Sequence, residues 1–187
     1  MQATDLALRD KLLRRGELND GYHPKMERVH RQNAAQLDIW LDQSGFPTVE
    51  QVGAAASEAA WLIVQHAIGQ PAFMKKALRL FEKAVTAGQA DAKLMPYLSD
   101  RIAVFSGQPQ LFGTQFDWDD TGQLSPQQYD DLTAVNQRRH ELGWNSLEAQ
   151  TALMRKRAAM ENNGPPADLL VRRTAYDAWR KRVGWIQ

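Results

Sequence analysis

The sequence predicts a mainly α fold: a compact helical domain with one short β-hairpin near residues 110–124. Two observations predict it. Apolar residues recur at helical spacing in almost every segment bounded by glycine or proline. Residues 106–126, SGQPQLFGTQFDWDDTGQLSP, break that rhythm, with apolar and polar residues alternating from Leu111 to Phe116 and Asp120-Thr121-Gly122 as a turn.

The elements follow in order. Residues 4–15 form a first helix with Leu6, Leu13 and the Leu8/Leu12 pair at helical spacing, stopped by Gly16. A turn-rich connector, GELNDGYHP, leads to Pro24, which suits the first turn of a helix over residues 25–43. Its stripe is Met26, Val29, Ala34, Leu37, Trp40 and Leu41, and His30 and Asn33 share one face. Thr48 with Glu50-Gln51 is placed to cap a short turn before the central helix.

That central helix, residues 54–69 (AAASEAAWLIVQHAIG), is the most apolar stretch, and a helix apolar all round is normally buried. It nevertheless carries Gln65 and His66, and a buried polar group needs a partner. Pro71 opens a helix over residues 71–87 that buries Phe73, Met74, Ala77, Leu80, Phe81 and Ala84. Residues 92–105 form another, with Asp100 and Arg101 in its second half. Three helices follow the hairpin, over residues 127–141, 146–162 and 167–183, the last two rich in Arg and Lys. Pro165-Pro166 is the best linker, so residues 1–163 read as the helical domain. Residues 164–187 read as a basic amphipathic helix packed on it or used in association.

Composition narrows the function. With 187 residues the chain can bury a substantial core. Lys+Arg and Asp+Glu nearly cancel, 23 against 22, which leaves no electrostatic footprint for nucleic acid. The absence of cysteine excludes disulfides, thiolate metal sites and a cysteine nucleophile. The first residues lack the apolar core of a signal peptide, and the longest apolar run, residues 59–64, is far short of the roughly 18 residues that span a bilayer. A cytoplasmic protein with neither nucleic-acid nor membrane partner is expected.

Among candidate site residues, His66 is a general acid or base, because only histidine titrates near neutrality unperturbed. Asp100 would orient or charge it. Arg101 would hold a substrate carboxylate or phosphate. Gln65, Gln110 and Gln115 would polarise a carbonyl or amide, and Thr114, His30 and Asn33 would complete a substrate-binding set. No HxxxH or HExxH spacing occurs, so no metal site is assigned; His30, His66 and a carboxylate could form one only through tertiary folding. No cofactor is legible.

Several stretches resemble a bacterial family of the domain-of-unknown-function type: DGYHPKMERVHRQNAAQL at residues 20–37, AAWLIVQHA in the central helix, YLSDR at 97–101, GQPQLFGTQF at 107–116 and, more weakly, VNQRRHELG at 135–143. They are collinear across about residues 17–150, with the Gln-His-Ala and Gly-Thr-Gln segments the most specific. The resemblance implies a shared fold and brings no reaction. It singles out His30, Asn33, Gln65, His66, Asp100, Arg101, Gln110, Thr114 and Gln115. Relatives often carry Asp where this chain has Ile68, and Tyr where it has Phe112.

A convergent polar pocket is the economical reading of that set. The chain is therefore expected to be a small-molecule enzyme or ligand-binding protein performing proton transfer, elimination or hydrolysis on a small polar substrate. The alternative is a non-catalytic interaction module working through the Trp-rich basic C-terminal helices. There Tyr176, Trp179, Val183 and Trp185-Ile186 form an apolar stripe that packs back on the domain or joins a homodimer.

Overall fold

The computed structural model describes residues 1–17 and 22–187; the middle of the expected connector before Pro24 lies outside the described residues. The fold is mainly α, with nine α-helices and one two-stranded antiparallel hairpin among the described residues. The chain divides into two units, Met1–Met95 and Pro96–Gln187, each taken by itself below. The last helix belongs to the second of them.

The first unit contains α1 (Gln2–Arg14), α2 (Pro24–Ser44), α3 (Val49–Val52), α4 (Ala54–His66) and α5 (Pro71–Thr86). Pro24 sits in the first turn of α2 and the His23 side chain caps it, accepting from Lys25 N. Thr48 and Gln51 form the expected capping box on α3. The core joins Leu12 of α1, Leu37 and Leu41 of α2, Ile63 and Val64 of α4, and Met74 and Phe81 of α5. Phe46 packs on Phe81 with ring centroids 4.6 Å apart.

Two elements of this unit differ from expectation. In α1 the buried residues are Leu12 and Asp5, while Leu6 and Leu13 are exposed. Asp5 and Leu12 stand seven residues apart on one helix face, so the face turned inward is the one that carries the carboxylate. Helix α4 stops at His66, three residues early, because Ala67 (ψ 36°) leaves helical geometry. It also buries one side only, with Ser57, Ala60, Ile63, Val64 and Gln65 inside and Glu58 exposed.

The second unit contains all but the first residue of α6 (Met95–Phe105), then β1 (Phe116–Trp118), β2 (Leu124–Pro126), α7 (Leu132–Glu141), α8 (Leu147–Met160) and α9 (Leu169–Val183). The hairpin pairs Phe116 with Pro126 and Trp118 with Leu124. Its turn is tied by Asp119, whose carboxylate accepts from Thr121 N, Gln123 N and the Thr121 and Ser125 hydroxyls. It starts at residue 116, not 110, because the amides of residues 111, 112 and 114 are already bound to Asp100 and cannot enter a ladder.

Helices α7, α8 and α9 each begin behind a capping side chain, Asp131, Ser146 and Asp168. Phe105 at the end of α6 packs on Tyr176, Trp179 and Trp185, and Arg180 donates to the Val104 and Phe105 carbonyls that α6 leaves open. No helix among the described residues is long and apolar enough to cross a membrane.

Candidate functional site

Three helices of the first unit bring one carboxylate and two imidazoles together. Asp5 comes from the inward face of α1, His30 from the middle of α2 and His66 from the last position of α4. Asp5 Oδ1 lies 3.0 Å from His30 Nε2, and Oδ2 lies 2.6 Å from His66 Nδ1. The Asp5 side chain is 1% exposed, that of His30 8% and that of His66 21%. The cluster is therefore closed at Asp5 and open at His66.

The charge state fixes the protons. Burial alone would raise the Asp5 carboxyl, but hydrogen bonds from His30 and His66 outweigh it and hold the group well below the usual carboxylate range. An ionised carboxylate only accepts, so His30 Nε2–H and His66 Nδ1–H both donate. In neutral His66 the lone pair then sits on Nε2, which has no hydrogen bond among the described residues. On neutral His30 it sits on Nδ1, where the Tyr22 hydroxyl donates at 2.7 Å. Burial raises the Tyr22 phenol above its ordinary value, with Glu27 and Asp5 adding to the shift, so it remains a neutral donor. Gly69 makes room for this tyrosine: a Cβ there would stand 3.3 Å from the Tyr22 ring.

The donor atoms of Asp5, His30 and His66 lie within 4.8 Å of one another, a nitrogen and oxygen set that suits a divalent first-row ion. The 2.6 Å spacing between Asp5 and His66 is that of a charge-assisted hydrogen bond. Ligands bound to one ion at roughly 2.1 Å stand about 3 Å apart, so an ion would have to part this pair. As it stands the arrangement is an imidazole oriented by a buried acid.

The expected site residues fall in the two units. In the first, His30 and His66 meet at Asp5, Asn33 donates to the Met1 carbonyl at 3.4 Å, and Gln65 is buried on α4 beside His66. In the second, Asp100 is 1% exposed and accepts from Leu111 N (2.9 Å), Phe112 N (3.2 Å) and Thr114 N (2.9 Å). Arg101 Nε donates to Gln115 Oε1, and Gln115 Nε2 donates to Thr114 Oγ1. Gln110, fully buried, accepts from Gln115 N and donates to the Gln115 and Gln127 carbonyls. These five side chains organise the 110–115 loop.

The carboxylate that meets His66 is thus Asp5, which sequence reasoning missed along with Tyr22. A signal for Asp5 exists: it lies seven residues before Leu12, so a stripe centred on Leu12 includes it. Tyr22 offered none, since nothing local ties it to a histidine eight residues away.

The chain matches no curated protein and no solved structure. A family model does match, over residues 1–163, a stretch that includes Asp5, Tyr22, His30 and His66. On that match the chain belongs to the family of unknown function DUF6624.

Proposed function

We propose that the protein is an enzyme performing non-redox acid–base chemistry on a small polar molecule, with His66 as the proton-transferring residue and Asp5 as its orienting acid. One observation carries this: His66 is held through Nδ1 by a buried, ionised carboxylate, while Nε2 has no hydrogen bond among the described residues and the side chain is 21% exposed. A carboxylate at one nitrogen selects the tautomer and stabilises the imidazolium that forms when the other takes a proton. Proton transfer, elimination and hydrolysis all fit. In this reading the orienting role expected of Asp100 falls to Asp5, and Asp100 holds three backbone amides.

The reading takes the protein to be bacterial, supported by the resemblance of its Gln-His-Ala and Gly-Thr-Gln segments to a bacterial family, and keeps the cytoplasmic location expected from the sequence. The rival reading, an interaction module on the C-terminal helices, has less support. Tyr176, Trp179 and Trp185 are spent on Phe105, and Arg172 and Arg173 pair with Asp117 and Asp120.

The test is a panel of small polar compounds screened by thermal shift against wild type and His66→Gln, with hits followed by NMR in deuterated water. A hit that exchanges a proton or is hydrolysed by wild type, and only binds the variant, is the expected result. Equal turnover by the variant would sink the proposal.

A further inference from the structure

The second unit contains a cavity of about 480 Å³ lined by Tyr97, Thr114, Phe116, Arg139, Trp144 and Arg157 among others, a volume typical of small-molecule sites. Among the described residues two arginines line it and no acid does. Arg139 is only 3% exposed. Its Nε donates to Asn145 O (2.7 Å), Nη2 to Asn145 Oδ1 (2.9 Å) and Nη1 to Phe112 O (2.9 Å).

Those acceptors are neutral. A guanidinium has five N–H groups, so two remain after three hydrogen bonds. No carboxylate lies within ion-pair distance of Arg139 among the described residues. Asp100 and Glu148 act on it only from farther off, Asp100 being committed to its amides and Glu148 to Asn136. Buried cations are ordinarily paired, because a lone charge out of water is costly. Beside Arg139 stands an aromatic wall: the Trp144 ring is 5.4 Å from its guanidinium carbon, and the Tyr97 ring is 5.4 Å from that of Trp144.

We infer that this cavity binds a small organic anion, with a carboxylate or phosphate drawn to Arg139 and Arg157 and a planar body against Trp144 and Tyr97. The anion supplies the counter-charge that the fold withholds from Arg139, and the rings supply the apolar contact. This site stands independently of His66, in the other unit.

Tryptophan fluorescence and calorimetry test it, using phenyl phosphate, benzoate, inorganic phosphate and benzylamine as probes on the full chain. Phenyl phosphate or benzoate is expected to bind saturably, whichever is tighter naming the headgroup. Inorganic phosphate should bind more weakly for want of a ring, and benzylamine not at all. Arg157→Ala, at an exposed position that leaves the fold alone, should weaken the better anion about five-fold. Saturable benzylamine binding of equal strength, no saturable anion binding, or unchanged affinity in Arg157→Ala would overturn the inference. The readout is binding in the second unit, so such a failure leaves the acid–base reading standing.

Discussion

Asp5 and His66 are separated by 61 positions in the chain and meet at 2.6 Å, with Asp5 shut off from solvent and His66 open to it. The first helix therefore contributes an ionised acid to the end of the fourth, and the stability of the unit is bound up with that charge.

Asp5→Asn removes the charge and sets an amide nitrogen against one of two donating imidazoles. Breaking a buried pair in this way should cost about 3 kcal/mol or more, read as a lower urea midpoint at neutral pH. A variant as stable as wild type would show that the pair contributes nothing.

The same carboxylate sets an acid limit. Its folded pKa is depressed below the unfolded value of about 3.9, so the unfolded state binds the proton first. Its contribution is complete above that value and is lost as pH falls toward the folded one. Wild type should lose stability on acidification below about pH 4 more steeply than Asp5→Asn, measured by denaturant titration across pH 2–6.

Nitrogen NMR of the imidazoles, taken where both are neutral, should find the proton of His66 on Nδ1 and that of His30 on Nε2. In Asp5→Asn the two tautomer populations should relax toward a mixture. The opposite assignment in wild type would remove the basis for proton transfer at His66 Nε2.

Asp100 works through the backbone. Asp100→Asn leaves one acceptor oxygen for three amides and should destabilise by about 1–3 kcal/mol, seen as a lower melting temperature. Burial raises this carboxyl against the pull of those amides, so its pH effect has the opposite sign to that of Asp5. The folded state holds the proton longer, and stability declines as pH rises from the unfolded pKa through the raised one.

Gly113 has φ +66° and lies against Leu147, whose Cδ1 would be 2.6 Å from an added Cβ. Gly113→Ala should cost about 1–3 kcal/mol from crowding and backbone strain. Leu147→Ala removes the crowding atoms, so the double variant should lose less than the two single losses combined in a denaturant double-mutant cycle.

Much of the fold was legible because its cause is local. The apolar spacing of Phe73, Met74, Ala77, Phe81 and Ala84 gives α5, and Thr48 with Gln51 gives the capping box. His66 was legible, with Gln65, as a polar residue in an apolar helix that needed a partner, and His30 by the face it shares with Asn33 and by the resemblance. The partner was harder to see: the seven-residue spacing from Leu12 puts Asp5 on the inward face of α1, but nothing local says that this face meets α2 and α4. Leu6 and Leu13 of α1 pointed to the wrong face, while Leu12 turns inward with Asp5, because the packing of that helix is decided by one buried charge as well as by its apolar residues. The hairpin began late for a related reason, a side chain on α6 taking the amides that a ladder would have used.

Those amides have a last consequence. Ordering a residue's backbone costs about 1–2 kcal/mol in entropy, and the tether at Leu111, Phe112 and Thr114 meets that cost when the chain folds. Thr114 lines the cavity beside Arg139. A ligand arriving there meets a wall already set, with little left to freeze, and its affinity depends on the contacts it makes rather than on a loop it must first arrange.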